Sequence, residues 1–380
     1  MPDKVRLPAA ELALLCRMER GGKLSRRSLL LGSATVVGSA VAACSKSRQG
    51  SSPTTSAATT ATSAGEYFPS ASTEWETVDP AVAGLDADGL AELVAFVEQS
   101  NSDSFIMVFD GRIVSESYWR DFTRDSTRDV ASVQKSVMST LIGLARDRGL
   151  LGLDDHVNDY LEVGWTAATS SAEAAITIRH LLTMTSGLDP DSLVSTSAPG
   201  KWDYNTDAYQ NLRLVLESAA GMDINEITAS WWFDAIGIER NGYWSERPRI
   251  AVPPNALGDQ QWGLALTARE MARVGLFASR NGEWMGEQIT AVDWFAEAWT
   301  PLDVKRDYGY LWWLLGNARP KSPGMPPDLV AALGAQDQKI YVLPSERLVM
   351  ARQGDAAGTA TEAGSDFDNE VFRRLLDALA

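Results

Sequence analysis

The tetrad Ser132-Val133-Gln134-Lys135, set at the start of a helix that is apolar on more than one side, constrains this chain more than any other feature. Val137, Met138, Leu141, Ile142, Leu144 and Ala145 follow it and spread around the helix, the pattern of a helix inside a core rather than on a surface. Gly149 supplies a stop. A chain that buries such a helix must wrap other elements around it. The spacing also sets a hydroxyl and an amine one turn apart on one face. They sit at the helix end where free backbone N–H groups and the positive end of the dipole lie. A serine hydroxyl becomes a nucleophile when a base takes its proton, and a lysine kept neutral by burial can be that base. Taken alone, the tetrad is equally compatible with a capping serine beside a solvated lysine.

Residues 1–43 read as an export signal, not as fold. Lys23, Arg26 and Arg27 precede Leu29, Leu30 and Leu31 and a run of small residues ending at Ala43. Ser25-Arg26-Arg27-Ser28-Leu29-Leu30 resembles a twin-arginine export signal. Val41-Ala42-Ala43-Cys44 resembles a lipobox, whose cysteine is acylated and becomes the mature N-terminus. The expectation is a lipoprotein exported by the twin-arginine route, extracytoplasmic, and touching the membrane only through a lipid on Cys44. A general secretory signal with an incidental cysteine is the other reading. The apolar run is too short and too rich in Gly and Ser for a spanning helix. Residues 44–70, mostly Ser, Thr, Ala and Gly, read as a flexible tether. Cys16 and Cys44 are the only cysteines, so loss of the signal leaves no internal disulfide and no cysteine-based zinc site.

Residues 71–380 remain, enough for a large core built as one domain or two packed lobes. The chain has a formal charge of −16. Residues 1–43 carry seven basic and three acidic side chains, so the rest holds about −20. That balance argues against nucleic acid and anionic lipid as partners. No motif requests a cofactor. His156 and His180 are the only histidines, and with scattered carboxylates they make no metal site.

Along the chain, Phe105–Phe109, Asp110-Gly111 and Ile113–Trp119 predict a β-hairpin. Helices are expected over 176–185, 207–220, 224–234, 267–280 and 366–379, with 154–255 mostly helical. Strands are expected over Tyr310–Leu315, Lys339–Leu343 and Arg347–Arg352. Strands at both ends around a helical middle give an α+β fold, an antiparallel sheet flanked by helices. The sheet lobe is expected over about 85–150 and 255–380, with a helical insertion over about 151–254. Asp154-Asp155 and Asp189/Asp191 read as caps and turns. Trp202, Trp244, Trp262 and Trp313 are candidates to wall an apolar cleft.

Further segments line up, in order, with one family. Ile178-Arg179-His180-Leu181-Leu182-Thr183-Met184-Thr185-Ser186-Gly187-Leu188 is similar to a segment of the serine β-lactamase-like hydrolases. So are Pro199-Gly200-Lys201-Trp202-Asp203-Tyr204-Asn205-Thr206, Asn281-Gly282-Glu283-Trp284 and Tyr308-Gly309-Tyr310-Leu311-Trp312-Trp313. The group includes class C β-lactamases, D-alanyl-D-alanine carboxypeptidases, family VIII esterases and 6-aminohexanoate-dimer hydrolases. The Ser-x-x-Lys tetrad is its nucleophile motif. The resemblance spans about residues 85–380 and implies a β-lactamase/transpeptidase-like fold. The Tyr-Asn-Thr form, with Thr206 where the group usually has Asn, resembles the 6-aminohexanoate-dimer hydrolase and esterase branch more than the β-lactamases.

The resemblance implies a catalytic unit of Ser132, Lys135 and Tyr204, and Thr206 at the substrate. His180, inside a helical segment, reads as structural. The third motif of the group, Lys-Thr-Gly or His-x-Gly on a strand, falls at Ala332-Leu333-Gly334, where the basic residue is missing. In the group that residue helps hold the carboxylate of β-lactams and D-Ala-D-Ala peptides, so its absence speaks against both substrates. Gly334 fits a close backbone approach, and an N–H at Ala335 or Gln336 is expected to complete an oxyanion hole with that of Ser132. The activity implied is acyl transfer from a small ester or amide through a Ser132 acyl-enzyme, with Lys135 or Tyr204 as the base. Two alternatives stand beside it. One is a D-alanyl-D-alanine carboxypeptidase or β-lactamase; the other is an inactive lipoprotein that binds cell-wall peptides on the same scaffold.

Overall fold

The computed structural model describes residues 66–379 apart from 72–73, 241, 250–251, 318–325 and 362–363. The expected signal, Cys44 and the tether up to residue 65 lie outside the described residues. Residues 66–70, the end of the expected tether, are packed rather than free. Phe68 is half-buried, edge-on against Trp284, and Arg273 donates to the carbonyls of Pro69 and Ser70 at 2.8 and 2.5 Å.

A five-stranded antiparallel sheet organises the fold. Its strands are β1 (Ser102–Phe109), β2 (Arg112–Tyr118), β3 (Val330–Gly334), β4 (Gln338–Leu343) and β5 (Leu348–Gly354), in the order β2-β1-β5-β4-β3. The hairpin turns at Asp110 and Gly111, both with positive φ, which matches the twist of the strands it joins. Side chains alternate between the two faces. Phe105, Met107, Tyr341, Leu343, Leu348 and Met350 pack on one side with helices α1 (Ala87–Gln99) and α5 (Asp366–Ala378). Ile106, Val108, Ile340, Val342, Val349 and Ala351 belong to the core on the other side. Helices α2 (Val133–Asp147) and α4 (Ala268–Ser279) pack on that side. Because both faces are covered, β1 and β3 read largely as apolar runs, whereas the edge strand β2 keeps the half-buried polar residues Ser115, Glu116 and Ser117.

The chain leaves the sheet after β2, and its next strand in the sheet is β3. In between, α3 (Thr206–Ala220) is the one long helix of the expected helical middle. The helix expected over 176–185 is the single turn-and-a-half Ile178–Leu182, and Met184 beyond it has φ +57. The one over 224–234 is Ile224–Thr228, passing into a wider π-type turn, Ala229–Phe233. Tyr310–Leu315 is not a strand. Leu311 sits at φ +60, its N–H donates to Leu182 O and its carbonyl accepts from Ser136 Oγ at 2.7 Å. Only Trp313 pairs with the sheet, through Ala331.

Helix α4 approaches the sheet closely at Gly275, where a Cβ would lie 2.5 Å from Val349 and 2.8 Å from Ile340. Gly275→Ala is therefore expected to lower stability by about 1–3 kcal/mol through overpacking. A fall in the urea midpoint at unchanged m-value checks this.

Candidate active site

Helix α2 runs through the core, and every residue from Val133 to Ala145 is buried. Ser132 is its N-cap, but its hydroxyl makes no cap bond to the helix. Lys135 Nζ donates to Ser132 Oγ instead, at 3.0 Å. The same amine donates to Thr206 Oγ1 at 3.2 Å and lies 4.9 and 4.7 Å from the ring centres of Tyr204 and Tyr209. Lys135 is 2% exposed. Burial pushes its pKa below the ordinary lysine range, with Tyr204 and Asp207 partly opposing the shift. The hydroxyl is thus freed from capping and held by an amine whose neutral form burial favours.

Tyr204 is brought to Lys135 by the two middle segments, which hold each other. Asp203 N–H donates to Met184 O and Gly200 N–H to Thr185 O, both at 2.8 Å, and Asn205 Nδ2 donates to Leu188 O at 3.1 Å. Asn205 also caps α3 by accepting from Ala208 N–H at 2.8 Å. His180 belongs to a capping box with Thr177, accepting its N–H at 3.1 Å, a structural part. Asp155 and Asp189 likewise accept from the backbone in turns. Among the described residues no cluster of His, Cys, Asp or Glu is arranged to hold a metal ion, and no helix is long and apolar enough to cross a membrane.

A cleft of about 350 Å³ is lined by Ser132, Tyr204, Trp313, Leu333, Gly334, Ala335 and Gln336, with Asp337, Lys339, Ala356, Gly358 and Ser365 beyond them. The structure therefore brings Ser132, Tyr204, Gly334, Ala335 and Gln336 together. Thr206 is not part of the lining; its hydroxyl serves Lys135. Of the four tryptophans, Trp313 walls the cleft and stacks on Tyr204 at 6.1 Å, with Trp202 packed beside both rings. Trp244 is instead buried against Thr228, and Trp262 lies under Arg213.

Gly334 runs against the loop before Ser132 so closely that a Cβ there would lie 2.5 Å from Val130 O. Ala131, before Ser132, and Gln336 and Asp337, after Gly334, all have positive φ. Such conformations cost about 1–3 kcal/mol each outside glycine and persist where surroundings impose them. The N–H of Ser132 stands at a helix start, where no intrahelical acceptor exists. The arrangement can present a serine oxygen, a basic amine, a phenol and backbone N–H groups to one carbonyl. Sequence reasoning missed Asp337, Lys339, Ser365 and Asp368 behind the cleft, because their partnership joins β4 to α5 and leaves no local spacing to read.

A model of the beta-lactamase family matches residues 90–371. The chain belongs to the beta-lactamase family. It is a serine hydrolase of that family, with a β-lactamase/transpeptidase-like fold. The 6-aminohexanoate-dimer hydrolase of Paenarthrobacter ureafaciens is 22% identical over 338 residues, 74% of this chain and 80% of that one. Among solved structures, a proposed beta-lactamase from Bacteroides dorei superposes with a TM-score of 0.62 at 17% identity, over 78% of this chain and 99% of its own. EstCE1, a hydrolase with promiscuous acyltransferase activity, superposes with a TM-score of 0.59 at 16% identity, over 78% and 99%. At such identities the solved structures establish the fold that this family member shares.

The neutral form of Lys135 accepts a proton and the ammonium does not. Reaction at Ser132 is expected to rise with pH through a pKa below the ordinary lysine value. The pH profile of fluorophosphonate labelling checks this, and Lys135→Ala should lower the rate and remove that ionisation.

Proposed function

We propose that this family member is a small esterase or amidase that works through a Ser132 acyl-enzyme, with Lys135 and Tyr204 completing the catalytic unit. The 3.0 Å contact from the buried Lys135 amine to Ser132 Oγ carries the proposal. As Ser132 Oγ bonds to the substrate carbonyl, its proton passes to Lys135 or Tyr204. The oxyanion is held by the N–H of Ser132 and one from Ala335 or Gln336. The C–O or C–N bond then breaks, the proton taken from Ser132 passes through Tyr204 to the leaving group, and water hydrolyses the acyl-enzyme by the reverse proton route.

The cleft walls favour an uncharged acyl group. Trp313, Leu333, Ala335 and Ala356 are apolar, and Lys339, the sole cation among the described lining residues, is paired with Asp337 and Asp368 at 3.0 Å each. No cation stands at Ala332-Leu333 to meet a substrate carboxylate, which disfavours β-lactams and D-Ala-D-Ala peptides. The Paenarthrobacter relative, named for hydrolysing a 6-aminohexanoate dimer, and EstCE1, a hydrolase, are consistent with an ester or amide substrate. The lipobox-like segment supports a second element of the proposal, anchoring outside the cytoplasm through acylated Cys44 after twin-arginine export.

Short-chain nitrophenyl esters should turn over and nitrocefin should not. Ser132→Ala should abolish turnover and the single fluorophosphonate adduct seen by intact mass; activity persisting in Ser132→Ala would defeat the mechanism. In cells, labelled palmitate should enter the protein and be lost in Cys44→Ala, with release from the membrane fraction; label that survives would exclude Cys44 as the anchor.

A further inference from the structure

The turn Ala335–Asp337 lines the cleft with Ser132 and holds two consecutive residues, Gln336 and Asp337, in the left-handed region without a glycine. Left to itself such a turn would relax. Here it is gripped at the Gln336 and Asp337 carbonyls, at the Gln336 side-chain oxygen and at both oxygens of the Asp337 carboxylate.

The Asp337 carboxylate takes Ser365 Oγ at 2.7 Å and Lys339 Nζ at 3.0 Å on one oxygen, and the N–H groups of Ala357 and Gly358 at 2.8 and 3.3 Å on the other. Lys339, 1% exposed, pairs also with Asp368 at 3.0 Å. Asp368 in turn accepts from Tyr341 Oη and from Ser365 N–H. From the other side, the fully buried Arg352 donates to the carbonyls of Gln336 and Asp337 at 2.9 and 3.0 Å. Gln338 Nε2 reaches Gln336 O at 3.2 Å, and Arg128 reaches Gln336 Oε1 at 3.3 Å. Burial alone would raise the Asp337 pKa, but Lys339 and Ser365 hold it below the ordinary carboxylate value.

Buried ion networks of this kind add little net stability over apolar packing, so stability alone is a weak reason for one at the edge of a cleft. What the network does supply is a fixed backbone. We propose that Asp337 is a positioning residue for acyl transfer: braced by Lys339, Ser365 and Arg352, it locks the Ala335–Asp337 turn so that its backbone N–H stays aimed at the oxyanion formed on Ser132. This inference rests on the Ser132 acyl-enzyme reading. A fixed donor acts on the transition state more than on the bound ester, so loosening it lowers kcat and leaves KM nearly unchanged.

The test compares wild type, Asp337→Asn, Ser365→Ala and Gly275→Ala on a short nitrophenyl ester, well below the unfolding temperature of each. Gly275 lies on the opposite side of the sheet from α5 and serves as a control for lost stability. Asp337→Asn is expected to lower kcat about 10- to 100-fold with KM within about twofold. Ser365→Ala, which removes a single donor, is expected to lower kcat less, by about 3- to 10-fold. Gly275→Ala should keep wild-type kcat. Unchanged kcat in Ser365→Ala and in folded Asp337→Asn overturns the proposal, as does an equal fall in Gly275→Ala. Should Asp337→Asn not fold, Ser365→Ala decides by the same ratio. A wild-type protein that turns over no ester and takes no fluorophosphonate on Ser132 sinks the acyl-enzyme reading first, an outcome distinct from the others.

Discussion

The contact between Lys135 and Ser132 is the interaction around which the rest of the structure is arranged. An amine in water is protonated at neutral pH and useless as a base. Making it basic requires taking it out of water, and an isolated buried ammonium is costly unless it can shed its proton or find partners. The fold meets both conditions. It surrounds α2 with core on all sides, and it leaves the amine with two hydroxyls, Ser132 and Thr206, and two aromatic rings. The apolar character of α2 is thus as much a part of the site as the Ser132 and Lys135 side chains themselves.

Burying that helix end from every side takes distant pieces of chain. Strand β3 closes against the loop before Ser132 from the C-terminal part, and only a glycine at 334 permits the approach. The segments around Thr185 and Tyr204 close from the middle and lock to one another through backbone hydrogen bonds. Left-handed residues gather where these pieces meet, at Ala131, Leu311, Gln336 and Asp337. Leu311, Gln336 and Asp337 are held by partners from other parts of the chain, and Ala131 by the neighbouring Asp129 carboxylate. Strain at the cleft is offset by hydrogen bonds outside it, as in a site whose geometry is set before substrate arrives.

Much of the scaffold was legible in local pattern. The hairpin at Asp110-Gly111, the α2 helix and the helices over 206–220, 268–279 and 366–378 each carry their own signal in turn residues or periodicity. The failures share one cause. Tyr310–Leu315 has the composition of a strand, but Ser136 and Leu182 take the backbone groups of Leu311, so the segment bends. The expected helix over 176–185 is cut short where Met184 adopts a left-handed turn. Trp244 and Trp262 have the same character as Trp313, and nothing in their own neighbourhoods says that only Trp313 reaches the cleft.

By itself the sequence determined the parts whose physics is local: a hydroxyl and an amine one turn apart, a helix too apolar for a surface, a tyrosine segment, and a strand ending in glycine with no cation before it. Tertiary structure alone decided what those parts do to one another. It turned Thr206 from the cleft toward Lys135 and held the carbonyls of Pro69 and Ser70 on Arg273. It joined Asp337 to Lys339, Ser365 and Asp368 across two secondary elements. Hydrogen bonds and ion pairs act over about 3 Å. Which groups come within that distance depends on how the whole chain closes, and short-range sequence spacing carries no record of it.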